Sequence, residues 1–163
     1  MTPYEATRDD YAVVIGSRSF DGNVEAEAWI DHEIECIADH ADVLVTGDAV
    51  GVDTRVRLFG ERTGVRVIRY HLDGTVRDAS GILGRWADGP RHPFARNEAK
   101  IRAVALRIRN GGSASVHAMF DPFSRTGGTR NTLGHARRYR LPVYESTFDA
   151  AAWSAHRNDY LAD

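Results

Sequence analysis

Cys36 is the only cysteine in this chain. No disulfide forms within the sequence, and a reducing, cytoplasmic setting is expected. No apolar run approaches the roughly 20 residues of a membrane-spanning helix, so no membrane partner is expected. The first residues, MTPYEATRDD, lack the apolar segment of a signal peptide. Neither sign of charge dominates: the formal net charge is −2 over 163 residues. A global basic field for nucleic acid is therefore absent. Lysine is nearly missing, since Lys100 stands alone among 21 cationic residues and the rest are arginine. Arginine suits planar, bidentate contacts with phosphate, although GC-rich coding gives the same bias. Internal repeats and low-complexity segments are also missing. What remains is the composition of one globular domain, 42% hydrophobic and 27% charged.

Short apolar runs alternate with helix-spaced segments. Tyr11 to Ile15, Asp42 to Thr46, Val65 to Tyr70, Ser113 to Phe120 and Leu141 to Tyr144 read as strands. Between them, Val24 to about His40 carries Ile30, Ile34 and Ile37 at the spacing of a buried helix face. A second helix runs to about Thr63, with Asp53 as its N-cap and Gly64 as its stop. A third starts at Pro93 and reaches about Ile108, with Phe94, Ile101, Val104 and Ala105 on its apolar side. A fourth ends near Tyr139. Residues 71–92 are rich in glycine and read as a loop or lid with at most a helical turn. Residues 146–163 hold a closing helix. The pattern is that of a single α/β domain over 1–163, a Rossmann-like three-layer sandwich on a mostly parallel sheet of five or more strands.

The stretch Asp121 to Arg138 is the most informative. An apolar strand leads into Asp121-Pro122-Phe123-Ser124-Arg125-Thr126-Gly127-Gly128-Thr129 and then a helix. A strand–glycine turn–helix unit gathers backbone N–H groups and the positive end of a helix dipole, where an anion fits. Gly127 and Gly128 permit close approach of the backbone, and Ser124 and Thr129 offer hydroxyls. Arg125 and Arg130 flank the turn, one toward phosphate and the other toward solvent. Two more small-residue turns follow strand ends: Gly16-Ser17-Arg18, and Gly47-Asp48-Ala49-Val50-Gly51-Val52-Asp53. Ligands of open α/β sheets bind at this edge. Arg96 and Asn97 open the third helix, where a cation opposes the dipole, so Arg96 gains more from a bound anion than from its own helix.

His32, Cys36 and His40 recur at i, i+4 and i+8 but on a stripe turned away from the isoleucines, and no metal or other cofactor is expected. His32-Glu33 lacks the second histidine of a zincin, and no Walker A pattern occurs. Arg137, Arg138 and Arg140 make a small basic patch at a helix end, which reads as solvated.

The ordered set of Gly16-Ser17-Arg18, Gly47 to Asp53, Trp86 with Gly89-Pro90, Arg96-Asn97 and Ser124 to Thr129 resembles the YspA-like branch of the SLOG superfamily. That Rossmann-like group also contains DNA-processing proteins and the cytokinin-activating LOG enzymes. The resemblance covers about residues 12 to 144. It implies a pocket for a nucleotide or nucleotide-derived ligand. Gly16, Ser17 and Arg18 would lie beside it, with the turn containing Gly47, Asp48, Ala49, Gly51 and Asp53 as its floor. Arg96 and Asn97 would reach in from the lid side, and Gly127, Gly128 and Thr129 would hold phosphate. It also implies a homodimer. LOG-type enzymes carry a glutamate three residues after the threonine of their glycine-rich motif; here Thr129 is followed by Arg130, Asn131 and Thr132.

The expected function is therefore binding of a ribose-phosphate ligand, as a sensor or accessory module. The alternative is hydrolysis of an N-glycosidic bond in a nucleoside monophosphate or ADP-ribose relative, with Asp48 or Asp121 as the acid or nucleophile. DNA binding is a third reading, which the net charge disfavours.

Overall fold

The computed structural model describes residues 9–109, 111–124 and 127–162. Seven strands form one sheet in the order β5-β4-β3-β2-β1-β6-β7. The parallel strands are β1 (Asp10–Gly16), β2 (Val43–Thr46), β3 (Arg66–Tyr70), β6 (Ser113–Phe120) and β7 (Val143–Thr147). Helices α1 (Val24–Ala38) and α2 (Val52–Thr63) connect the first three, α3 (Pro93–Arg109) returns to β6, and α4 (Gly128–Arg138) leads to β7. Helix α5 (Ala150–Ala162) closes the described chain.

The core lies in two layers, one on each face of the sheet. Tyr11, Val13 and Ile15 of β1 pack with Ile101 and Val104 of α3 and Leu133 and Ala136 of α4. Ala12 and Val14, one residue out of phase, pack with Ile30 and Ile34 of α1, Val52 and Val56 of α2 and Trp153 of α5. This two-residue alternation is what a strand buried on both faces dictates. Phe20, Trp29 and Phe148 add an aromatic cluster, with ring centroids 5.3 to 6.1 Å apart. The structure is thus the expected three-layer α/β sandwich, with a larger sheet than the five strands read from sequence.

The two additional strands fall in residues 71–92. This segment is a hairpin, β4 (Thr75–Asp78) and β5 (Gly81–Arg85), and it extends the sheet antiparallel beyond β3. Its strands are only four and five residues long and carry few apolar side chains. Their pairing therefore leaves almost no periodicity to read. Asp78 turns the hairpin by accepting from the Ser80 amide at 2.8 Å. Trp86 anchors its exit by donating to the His71 carbonyl at 2.7 Å. The last strand begins at Val143 rather than Leu141, because Pro142 has no N–H for the ladder.

β1 is the middle one of the five parallel strands. Its successor β2 lies on one side and β6 on the other. The crevice between β1 and β6 at their carboxyl ends is the topological switch point, the usual ligand position of open α/β sheets.

Candidate functional site

A cleft of about 290 Å³ opens at that switch point. One wall is the end of β1, with Gly16 and Arg18. The floor includes Ala49 and Asp53. The opposite wall is the start of α3, with His92, Phe94, Arg96, Asn97 and Lys100, and the start of α4, with Gly127, Gly128, Thr129 and Thr132. Three turns from distant parts of the sequence thus meet in one place.

The α4 side begins on glycine. Gly127 is the N-cap and offers no side-chain bond, so the first amides of the helix lack a cap of that kind. The helix start is held from α3: the Asn97 amide nitrogen lies 3.3 Å from both the Gly128 carbonyl and the Asn131 side-chain oxygen. Thr132 adds a bond to the same carbonyl at 3.1 Å. Gly128 is therefore fixed through its C=O. Ser124 lies in the preceding turn but does not line the cleft. Arg125 and Thr126 lie outside the described residues.

The α3 side supplies charge. Arg96 is buried, with its Nη1 donating to Asp48 Oδ1 at 2.5 Å and its Nε without a hydrogen-bond partner. The anion expected beside Arg96 is thus supplied in part by the protein itself. Four residues on, Lys100 is 1% exposed and faces the same cleft. Among the described residues no carboxylate lies within 4.0 Å of its ammonium. Burial pulls its pKa down to about 8, against the opposing fields of Asp53 and Asp48 and with the help of Arg96. Lys100 lines the cleft, although no turn motif in the sequence singles it out. The signal was present: the lone lysine sits at i+4 from Arg96, next to Ile101 on the buried face. Phe94, expected in the core, is 44% exposed at the rim and stands edge-on to His92 at 4.8 Å. His92 Nδ1 accepts the Phe94 amide at 3.1 Å and so starts the helix.

The carboxylates are placed differently from expectation. Asp53 is not the N-cap of α2; Gly51 is. Asp53 sits one residue inside the helix and turns back toward β2. Its Oδ1 lies 2.7 Å from the Thr46 hydroxyl, and its Oδ2 accepts the Ala49 amide at 3.1 Å. Asp48 does not reach the cleft. It accepts from Arg96 and from the Leu72 amide at 3.1 Å, and it lines a second cleft on the far side of the turn. Asp121 also stays out of the cleft: it accepts from Ser19 at 2.7 Å and from the Phe123 amide at 2.9 Å. Neither catalytic candidate has an oxygen free of protein partners, and Asp53 is the cleft's one acidic lining residue among those described.

Packing fixes the remaining turn residues. Gly51 has φ +85°, and a Cβ there would stand 2.5 Å from the Ser17 carbonyl oxygen. Ser17 is buried beneath the cleft edge, its amide bonded to the Met119 carbonyl at 3.1 Å and its hydroxyl accepting from the Asp121 amide at 3.1 Å. A Cβ on Gly47 would come within 2.7 Å of Asp53 Oδ2 and 3.2 Å of Arg96 Cζ. No group of three or more metal-ligating side chains occurs among the described residues, and none of their helices is long and apolar enough to cross a membrane.

No family model and no curated protein matches this chain. Among solved structures, DNA processing protein A (DprA) from Streptococcus pneumoniae is similar over 82% of this chain and 58% of that one, with 15% sequence identity and a TM-score of 0.39. This chain therefore spans less than two thirds of that protein's length. The sheet order, the parallel central strands and the helices on both faces give the chain a Rossmann-like α/β fold.

Proposed function

We propose that the switch-point cleft binds a nucleotide or nucleotide-derived ligand carrying at least one phosphate. One observation carries the reading: a buried lysine and a buried arginine with an unpartnered Nε share the cleft with the glycine-capped start of α4. Burying a cation without a close counter-ion costs free energy, and an anion seated there offsets that cost. Phosphate at the Gly127–Thr129 turn accepts from backbone amides and the Thr129 hydroxyl, with Lys100 and Arg96 supplying charge. The exposed Phe94 ring at the rim offers an aromatic face for a base, and Arg18 lies on the opposite side. The role is a sensor or accessory module of the YspA-like kind, working as a cytoplasmic homodimer.

The second reading is hydrolysis of an N-glycosidic bond. Asp53 favours it, as a carboxylate in the cleft. Its two oxygens already accept hydrogen bonds, which weakens it as a base.

The test is native mass spectrometry of the protein incubated with nucleoside phosphates, NAD and ADP-ribose compounds, with release of free base followed over time. Retention of an intact phosphate-bearing ligand, lost in Lys100→Met and in a bulky substitution of Gly128, is the expected result. Base release that is abolished by Asp53→Asn establishes the hydrolase instead. Equal retention by the folded Lys100→Met variant removes the phosphate assignment.

A further inference from the structure

Behind the Asp48–Arg96 pair lies a second cleft of about 300 Å³, formed by the ends of β2 and β3 and the first turns of α2. It shares Ala49 and Asp53 with the first cleft and is otherwise lined by different residues, among them Arg57, Arg69 and His71. The carboxylates around it already have partners: Asp53, which lines it too, accepts from the Thr46 hydroxyl and the Ala49 amide. Asp48 is taken by Arg96, Glu61 by Arg57 at 2.8 Å, and Asp73 by Arg77 at 2.8 Å. Arg69 is left over. Among the described residues it has no hydrogen bond from its guanidinium and no carboxylate within 4.0 Å.

Its position makes this costly. Arg69 is half-buried, and in the sheet register it stands directly opposite Arg77 of β4. Like charges opposite one another across an antiparallel pair are unfavourable. Burial and the neighbouring Arg57 and Arg77 all push its pKa down, more than Glu61 and Asp48 push it up. His71 beside it has a buried Nε2 with no partner. Burial holds that ring toward its neutral form, in which one nitrogen still donates. A strand end that served packing alone would place a neutral polar residue where Arg69 stands.

We propose that this second cleft is an anion subsite, in which the guanidinium groups of Arg69 and Arg57 hold a phosphoryl group. Two guanidinium groups line this one small pocket, Arg69 without a carboxylate partner among the described residues and Arg57 in an exposed pair with Glu61 that an anion can replace, and their forked donors suit phosphate oxygens. The Thr54 hydroxyl, now 3.3 Å from the Ala49 carbonyl, and the His71 ring border the same space. This subsite stands independently of what the first cleft binds.

The experiment is a titration of the whole protein with inorganic phosphate at constant ionic strength, followed by the Arg side-chain and backbone amide NMR signals. Saturable shifts are expected at the Arg69 Nε–H and at the Thr54 and His71 amides, which border the second cleft alone. Arg69→Gln should weaken that site about tenfold or more, the scale of a lost charge-assisted hydrogen-bonded pair. Lys100→Met should leave it unchanged. Arg69→Gln should also melt no lower than the natural protein; if it does not fold, Arg57→Gln serves in its place with the same expected loss. Two further ligands identify the phosphate's source. If a saturating nucleoside monophosphate leaves the Arg69 response to free phosphate intact, the occupant is a separate anion. If a nucleoside with two separated phosphates binds about tenfold tighter than the monophosphate, and Arg69→Gln removes the gain, one ligand spans both clefts. Shifts that rise linearly without saturation, or equal affinity in the natural protein and the folded variant, overturn the proposal.

Discussion

Two glycine-bearing turns at the same sheet edge are built on opposite principles. In the Gly47–Asp53 turn every glycine has an intramolecular reason: Gly47 lies under the Asp53 carboxylate and the Arg96 guanidinium, and Gly51 lies against the Ser17 carbonyl in a left-handed conformation. In the turn before α4, a Cβ on Gly127 or Gly128 would meet no described atom within 4 Å, and neither residue has a positive φ. Packing and backbone strain explain glycine in the first turn and leave it unexplained in the second. The first is a finished piece of structure. The second keeps a smooth backbone surface toward open space, as close approach by a ligand requires.

Substitutions sharpen or break that contrast. The largest effect is expected on the finished side. Gly16, which supports the same turn, would place a Cβ 2.3 Å from Val52 Cγ2 and 2.6 Å from the Met119 carbonyl. Gly16→Ala should cost roughly 3 kcal/mol of stability, read from urea unfolding. A cost under about 1 kcal/mol would show that this turn has slack.

Lys100→Met comes next and carries the opposite sign. The folded-state pKa of about 8 lies below the ordinary 10.5. Below pH 8 the buried ammonium is charged in both states and disfavours the native one. Between these values the unfolded chain retains a proton that the native state has released, so stability rises with pH. Removing the charge should stabilise the protein by roughly 2 to 3 kcal/mol at pH 7 and flatten that rise in a pH series of unfolding curves. A destabilised, folded Lys100→Met variant would mean that the ammonium is well paired, and would weaken the case for an anion beside it.

Asp48→Asn should cost roughly 2 kcal/mol, since it removes the carboxylate that neutralises the buried Arg96. Thermal melting in added phosphate gives the second readout: phosphate should recover part of the loss, because Arg96 then lacks its internal partner. The smallest effect is on the open side. Gly128→Ala should leave stability within about 1 kcal/mol of the natural protein, on the favourable side, while reducing retention of a phosphate-bearing ligand. Loss of stability there would place Gly128 with the finished turn and end the contrast.

The sequence makes the fold class legible because β1 and β2 are buried on both faces and read as apolar runs, while β6 alternates buried with part-buried residues. The carboxyl ends of these strands are legible because a turn with glycine follows each. The β4–β5 hairpin is not, because its pairing rests on backbone bonds and a turn rather than on periodic side chains. Asp53 shows a finer limit. Its type and position suit a helix cap, and only the path of the chain decides that it turns back to Thr46 instead. Asp48 shows the converse: it looks unengaged in sequence, yet its partner Arg96 is 48 residues away. Lys100 is visible in composition as a solitary residue, but its burial comes from the packing of α3 against β6 and α4.

The register of β1 against β6 carries a consequence for the order in which the molecule is made. Asp10 lies beside Ser113, 103 residues later in the chain, and the pairing continues to Gly16 beside Met119. During synthesis β1 and β2 can pair early, while the other edge of β1 waits, unpaired and apolar, for most of the chain to emerge. Such long-range pairing slows folding. Both walls of the cleft therefore come together only once β6 has emerged, and a ligand that binds there would favour the paired state by mass action.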